Sequence, residues 1–151
     1  MSIFENIRDD LAAGKRGILA TVMVRTGSAP RDVGAKMYIS SDGTSYGTVG
    51  GGLLEHDVEV EALKNPDLES ARVLHVRMDS KSIQEQGMIC GGNVDILLEP
   101  VRDNHREIYA RLAEMAQKAR RGIIATSLDN SFTKTLIEDN LSMTGDAIDP
   151  H

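Results

Sequence analysis

Three short stretches hold the residue types that could do chemistry. The densest is GTVGGGLLEH, residues 47–56, with four glycines in its first six positions. Glycine loses more conformational freedom on folding than any other residue, so such a run marks a turn that side chains forbid or a backbone that must approach a ligand closely. The run follows a β-rich segment and opens a helical one, where free N–H groups and the helix dipole attract anions. The dinucleotide pattern G-x-G-x-x-G does not fit, because Glu55 stands where its last glycine belongs. The P-loop pattern fits through Gly47 and Gly52 and then fails, with Leu53 and Leu54 in place of Lys and Ser/Thr. Nucleoside triphosphate chemistry is therefore disfavoured. A tight strand-to-helix turn without a ligand is the plain alternative.

The second stretch ends in Cys90-Gly91-Gly92. A free cysteine is often a small buried hydrophobe. Glycines beside it leave backbone amides open, and such donors stabilise a thiolate or an anion. The third is GSAPRDVGAKM, residues 27–37, where Ser28, Arg31 and Lys36 could offer a hydroxyl, a guanidinium fork and an ammonium to an acidic ligand. Taken alone it reads as a solvated loop. The four histidines, His56, His75, His105 and His151, show no ligand spacing with cysteine, and no G-x-S-x-G anchors a serine nucleophile.

The elements that must position these residues follow from periodicity. Ser2 and Glu5 form a capping box, Ile3, Ile7 and Leu11 share one helical face, and Gly14 ends that helix. GILATVMV (17–24) reads as a buried strand, followed by a loop. KMYIS and YGTVG flank Asp42-Gly43, which predicts a hairpin over 36–49. Leu54, Val58 and Ala62 predict a helix from Leu53 to about Lys64. Strands are expected at 71–78 and 93–101, separated by a polar loop. A second long helix spans 104–120, and a final pair of strands follows. KRGILAT (15–21) and RRGIIAT (120–126) echo each other. Chance recurrence of a good helix-to-strand turn is one reading, and two helix–strand units side by side in one sheet is the other. The expected fold is α/β: one domain over 1–138, a mixed sheet with helices packed on it, then a tail over 139–151 that is a loose end or a strand plus tail.

Composition bounds the partners. The 151 residues are 40% hydrophobic and 26% charged, ordinary values for a globular chain. A net charge of −6 argues against nucleic acid, whose binding draws on a basic surface. The N-terminal segment lacks a signal-like apolar stretch, no segment has the length of a membrane span, and the single cysteine points to a reducing compartment. The expected location is cytoplasmic. A homodimer is expected, since symmetric dimers dominate soluble oligomers.

Taken in order, GSAPRxxGAKM, DGxxxGTVGGGxLE and GMxCGGxVDxxLEP resemble the N-terminal domain of the xanthine dehydrogenase accessory factor family, of the XdhC/CoxI type. The resemblance runs from about Gly17 to Pro100 and more loosely to about residue 137. It implies a maturation factor rather than an oxidoreductase, one that binds molybdenum cofactor (molybdopterin), assists its sulfuration and delivers it to a xanthine dehydrogenase-like enzyme. It implies a cofactor site at Ser28, Arg31, Lys36, Gly50, Gly51, Gly52, Glu55, Cys90, Gly91 and Gly92. Cys90 would relay sulfur or touch molybdenum, since a soft thiolate suits that centre; no other metal ligand is expected. Glu55 either caps the glycine loop or is plain surface. Many members carry a second, Rossmann-type domain, and residues 101–151 hold no G-x-G-x-x-G. A short relative, part of a longer protein, or a separate Rossmann-domain chain are the three readings. Two other classes stay open: a non-catalytic interaction domain docking a dehydrogenase or a cysteine desulfurase, and a small phosphoester- or nucleotide-binding enzyme.

Overall fold

The first helix, α1 (Ile3–Ala12), begins at the expected capping box: Ser2 Oγ accepts the Glu5 N–H at 3.3 Å, and the Glu5 carboxylate accepts the Ser2 N–H at 2.5 Å. Such a cap contributes about 1 kcal/mol. The helix ends in a left-handed Gly14 (φ +75°), with Lys15 N–H bonded to Asp10 C=O and Gly14 N–H to Leu11 C=O, a Schellman turn. The computed structural model describes residues 1–27, 32–65, 68–78, 92–128 and 133–147.

Strands β1 (Gly17–Gly27), β2 (Lys36–Ser40), β3 (Ser45–Gly47), β4 (Arg72–Met78) and β5 (Gly92–Val101) form one sheet in the order β3-β2-β1-β5-β4. Strands β6 (Gly122–Thr126), β7 (Lys134–Glu138) and β8 (Met143–Gly145) form a second. The α/β class is as expected, and each ladder among the described residues is antiparallel. Strand β1 runs three residues past the expected end at Val24, because β5 continues to pair with it as far as Gly27↔Gly92. Met143–Gly145, in the segment read as a loose end or strand plus tail, is the edge strand β8.

Strand alternation divides the core in two. On one face of the large sheet, Ile18, Ala20, Val22, Met37, Ile39, Ile96 and Leu98 pack against Leu54, Val58 and Ala62 of α2 (Gly52–Lys64). On the other, Leu19, Tyr38 and Val101 meet Ile7 and Leu11 of α1, Ile108, Tyr109, Leu112 and Met115 of α3 (Arg106–Gln117), and Leu136 of β7. Each fully buried side chain of this size contributes roughly 1.5–3 kcal/mol. Helices α1 and α3 pack antiparallel: Gln117 near the end of α3 donates to Glu5, and Arg106 at its start donates to the Leu11 carbonyl at 2.8 Å.

The sequence echo is a structural repeat, though not the side-by-side one. Strands β1 and β6 lie in different sheets, and the two units meet through their helices. Each unit runs helix, Schellman turn, strand, hairpin. Arg120 N–H to Met115 C=O and Ala119 N–H to Ala116 C=O reproduce the turn after α1, with Ala119 left-handed at φ +51° where Gly14 stands. The hairpins match bond for bond. Thr44 N–H donates to Asp42 Oδ1 and Ser142 N–H to Asn140 Oδ1; Ser40 N–H bonds Thr44 C=O and Glu138 N–H bonds Ser142 C=O. Gly47 and Gly145 close the hairpins with positive φ, where a Cβ would strike the carbonyls of Lys36 and Lys134.

Candidate functional site

The glycine run is the connection from β3 into α2. Gly50, Gly51 and Gly52 all have positive φ (152°, 84° and 57°), a path no L side chain follows without strain. A Cβ on Gly51 would meet nothing within 4 Å, so the backbone conformation demands glycine there, and the space above it is open.

The Gly51 amide of this turn holds an anion, and the anion belongs to the chain. Glu55, in the first turn of α2, accepts the Gly51 N–H at 2.9 Å and the Thr48 hydroxyl, while Thr48 Oγ1 accepts the Gly50 N–H at 3.2 Å. A carboxylate at a helix N-terminus satisfies orphan donors and the dipole together. Of the two readings of Glu55, the geometry shows the cap. Thr48, which sequence reasoning passed over, staples the turn; a hydroxyl two residues before a glycine run was the available signal.

Register brings the three motif-bearing stretches to one end of the large sheet. The last residue of β1, the last of β4 and the first of β5 meet there: Gly27↔Gly92 and Met78↔Gly92. Strand β3 runs toward the same end before entering the glycine turn. Arg25 reaches Asp32 of the β1–β2 connection at 3.1 Å. Ser28, Arg31, Cys90 and Gly91 lie outside the described residues; they are attached to these strand ends.

Lys36 is not brought to the glycine turn. It opens β2 on the Tyr38 side of the strand, opposite the α2 face, and its Nζ donates to Thr21 Oγ1 at 3.1 Å. Its side chain lines a cavity of about 260 Å³ between the two units, together with Thr21, Glu99, Tyr109, Thr126 and Lys134. Lys134 is buried, donates to Glu99 Oε1 at 2.6 Å and to Thr126 Oγ1 at 3.0 Å, and lies 6.0 Å from the Tyr109 ring centroid. Burial pushes the Lys36 ammonium pKa down, with Glu99 opposing and Lys134 adding to the effect. Burial also pushes the Tyr109 hydroxyl well up. Sequence reasoning missed Thr21, Glu99, Tyr109, Thr126 and Lys134. The Thr closing both GILAT and GIIAT, each followed by a strand that starts with Lys, was the usable signal.

A separate cleft of about 590 Å³ at the other end of the large sheet is lined by Arg16, Gly17, Pro100 and Arg102, and holds none of the candidate site residues. Among the described residues no three His, Cys, Asp or Glu side chains gather as metal ligands, and no helix is long and apolar enough to cross a membrane.

Comparison with known proteins places this geometry. The chain is 32% identical over 80 residues to "Uncharacterized protein YqeB" of Escherichia coli (strain K12), covering 53% of this chain and 15% of that protein. The whole chain superimposes on part of a crystal structure from Bacillus halodurans described as a xanthine dehydrogenase, with a TM-score of 0.77 and 24% identity, covering 46% of that protein. That likeness shows the shared fold. The chain thus spans less than half the length of either relative. The resemblance read from the glycine-bearing motifs is borne out by the family comparison: residues 10–77, which span β1, the hairpin, the glycine turn and α2, match the XdhC and CoxI family.

Proposed function

We propose that this domain is an accessory-factor domain serving a xanthine dehydrogenase-type molybdenum enzyme, and that it holds molybdenum cofactor at the motif end of the large sheet. The observation that carries the reading is the convergence of the β1, β4 and β5 ends, which tether Ser28, Arg31, Cys90 and Gly91, on the side toward which β3 delivers the glycine turn. The family match supports it. The turn fits an oxyanion because it already holds one: the Glu55 carboxylate stands in for a phosphate at the Gly51 amide and the Thr48 hydroxyl, while Thr48 Oγ1 holds the Gly50 N–H.

In this reading the Gly51 N–H and the Thr48 hydroxyl, which Glu55 occupies, would hold a phosphate of the cofactor. Glu55 keeps the turn formed while the site is empty and, once displaced, repels the incoming charge. Bound there, the cofactor supplies a molybdenum centre with sulfur ligands. Arg31 and Arg25 would balance its charge, and Cys90 would offer a thiolate beside Gly92 at the start of β5. Lys36 is assigned elsewhere, on the opposite face. Sulfuration of the cofactor, a cysteine desulfurase partner, a separate Rossmann-domain chain and a homodimer remain parts of this proposal that rest on the resemblance.

The test is anaerobic equilibrium binding of molybdenum cofactor to wild type, Cys90→Ser and Glu55→Gln, read by pterin fluorescence after oxidation. Saturable binding, weakened by Cys90→Ser and strengthened by Glu55→Gln, supports the site. Absence of binding by all three refutes it. Unchanged binding by Cys90→Ser removes the thiol alone.

One observation favours a second reading, a docking domain without a ligand. Among the described residues the outer edge of β6 has no partner strand, and Ile123 on it is 67% exposed. Unpaired edges of this kind recruit other chains. Binding of a dehydrogenase by cofactor-free protein, lost in Ile123→Lys, would support it.

A further inference from the structure

The two units place equivalent lysines on opposite walls of one cavity. Lys36 starts β2 and pairs across the ladder with Thr21; Lys134 starts β7 and pairs with Thr126. Each ammonium donates to its partner threonine, at 3.1 and 3.0 Å. Only the second has a carboxylate: Glu99 of β5 is bonded to Lys134, and Lys36 forms no ion pair among the described residues. Two largely buried cations therefore share one buried anion. Taking an ammonium out of water without a counter-ion is strongly unfavourable, so such a site calls for one.

A further donor points the same way. Tyr109 lines the cavity, is fully buried, and its hydroxyl has no hydrogen-bond partner among the described residues. Unsatisfied buried hydroxyls are rare in folded proteins. The cavity of about 260 Å³ has room for an anion of a few heavy atoms with its waters.

We propose that the cavity between the two units is a binding site for a small oxyanion, a carboxylate or a phosphoryl group, held by Lys36 and Thr21 and balancing the Lys36 charge that the Lys134–Glu99 pair leaves over. The site lies on the opposite sheet face from α2 and stands whether or not the domain carries molybdenum cofactor. The pseudo-equivalence of the units explains its design: the cation arrangement occurs twice, and the chain supplies its own carboxylate to one copy.

The experiment is lysine acetylation of the full chain, followed site by site by mass spectrometry, in acetate, in inorganic phosphate and in chloride at equal ionic strength. Lys36 should react more slowly in at least one oxyanion, about tenfold when that anion stands about ten times above its Kd, while exposed Lys64 and Lys118 are unaffected. Protection by phosphate alone identifies a phosphoryl ligand, by acetate alone a carboxylate ligand, and by both the shared oxyanion chemistry. Whichever anion protects Lys36 should also raise the melting temperature of wild type, and Lys36→Met should abolish the rise. Equal Lys36 reactivity in all three salts, or slowing shared by every lysine, would overturn the proposal.

Discussion

The two helix–strand–hairpin units share a backbone and differ in what they do with it. In unit one, Asp10 on α1 accepts the Tyr38 hydroxyl at 3.0 Å and an ion pair from Lys15, which also reaches Asp42 at the hairpin tip. Unit two puts Met115 and Leu136 at the corresponding places and fastens its hairpin with Arg111, which grips Glu138 through two bonds of 2.6 and 2.7 Å. The β1–β2 connection is also longer. Fifteen positions separate Thr21 from Lys36, and eight separate Thr126 from Lys134. The extra residues carry GSAPR. Unit one is further extended by the glycine turn and α2, and its β1 gains β5 as a second neighbour, whereas the equivalent edge of β6 is bare among the described residues. One backbone plan thus serves as a motif-bearing half and as a buttress.

The sharpest way to break this comparison is to exchange the lysines' roles. Lys134→Met leaves Glu99 buried without its partner and should cost about 3–5 kcal/mol in urea unfolding. Lys36→Met removes an ammonium with no carboxylate of its own and should change stability by less than about 1 kcal/mol. Adding Glu99→Gln to Lys134→Met should recover most of the loss, since removing both charges is far cheaper than removing one. Equal losses for the two lysines would mean that the cavity is symmetric after all.

A smaller effect sharpens the backbone equivalence. Gly14 and Ala119 occupy the same left-handed position, and a Cβ on Gly14 would touch nothing within 4 Å. Gly14→Ala should therefore destabilise by about 1 kcal/mol through conformation alone, and Ala119→Gly should stabilise by about 0.5 kcal/mol. If both changes destabilise, the two turns are not equivalent.

The smallest expected effect concerns His105, at the start of unit two's helix, where unit one has the capping box instead. Burial holds the His105 pKa below its ordinary value, although Asp146 at 3.1 Å opposes the shift. The unfolded chain thus takes up the proton first. Stability contributed by neutral His105 is complete above about pH 6.5 and falls as pH drops from there toward the lower folded pKa. His105→Gln should flatten that part of the stability–pH curve. At Glu5 the sign is the same but the window lower: Gln117 and the Ser2 N–H hold its carboxyl at about 2, so the cap weakens only as pH falls below about 4.3.

Much of this fold is local and hence legible in the sequence. The Ser2–Glu5 box, the Asp42-Gly43 hairpin and the α2 stripe of Leu54, Val58 and Ala62 depend on neighbours within a few residues, and they stand where periodicity puts them. The split into two sheets was not legible, because KRGILAT and RRGIIAT specify the helix-to-strand turn and leave the strand's distant partner open. The hairpin half of the repeat was hidden, since it is carried by backbone bonds with few shared side chains. Lys36 shows the same limit within the site. Chain proximity grouped it with the glycine motifs, and strand alternation turns its side chain to the other face. Gly50, Gly51 and Glu55 are adjacent in sequence and in space, so that part of the site was readable.

The most direct test of the functional account is hydrogen exchange of the full chain with and without molybdenum cofactor under anaerobic conditions. The account predicts slowed exchange at the Gly50–Glu55 turn and at the Arg25–Gly27, Val76–Met78 and Gly92–Val94 strand ends, with the Glu138–Ser142 hairpin of unit two unchanged. Protection at the unit-two hairpin alone, or none at the motif end in protein shown to bind the cofactor, would contradict it.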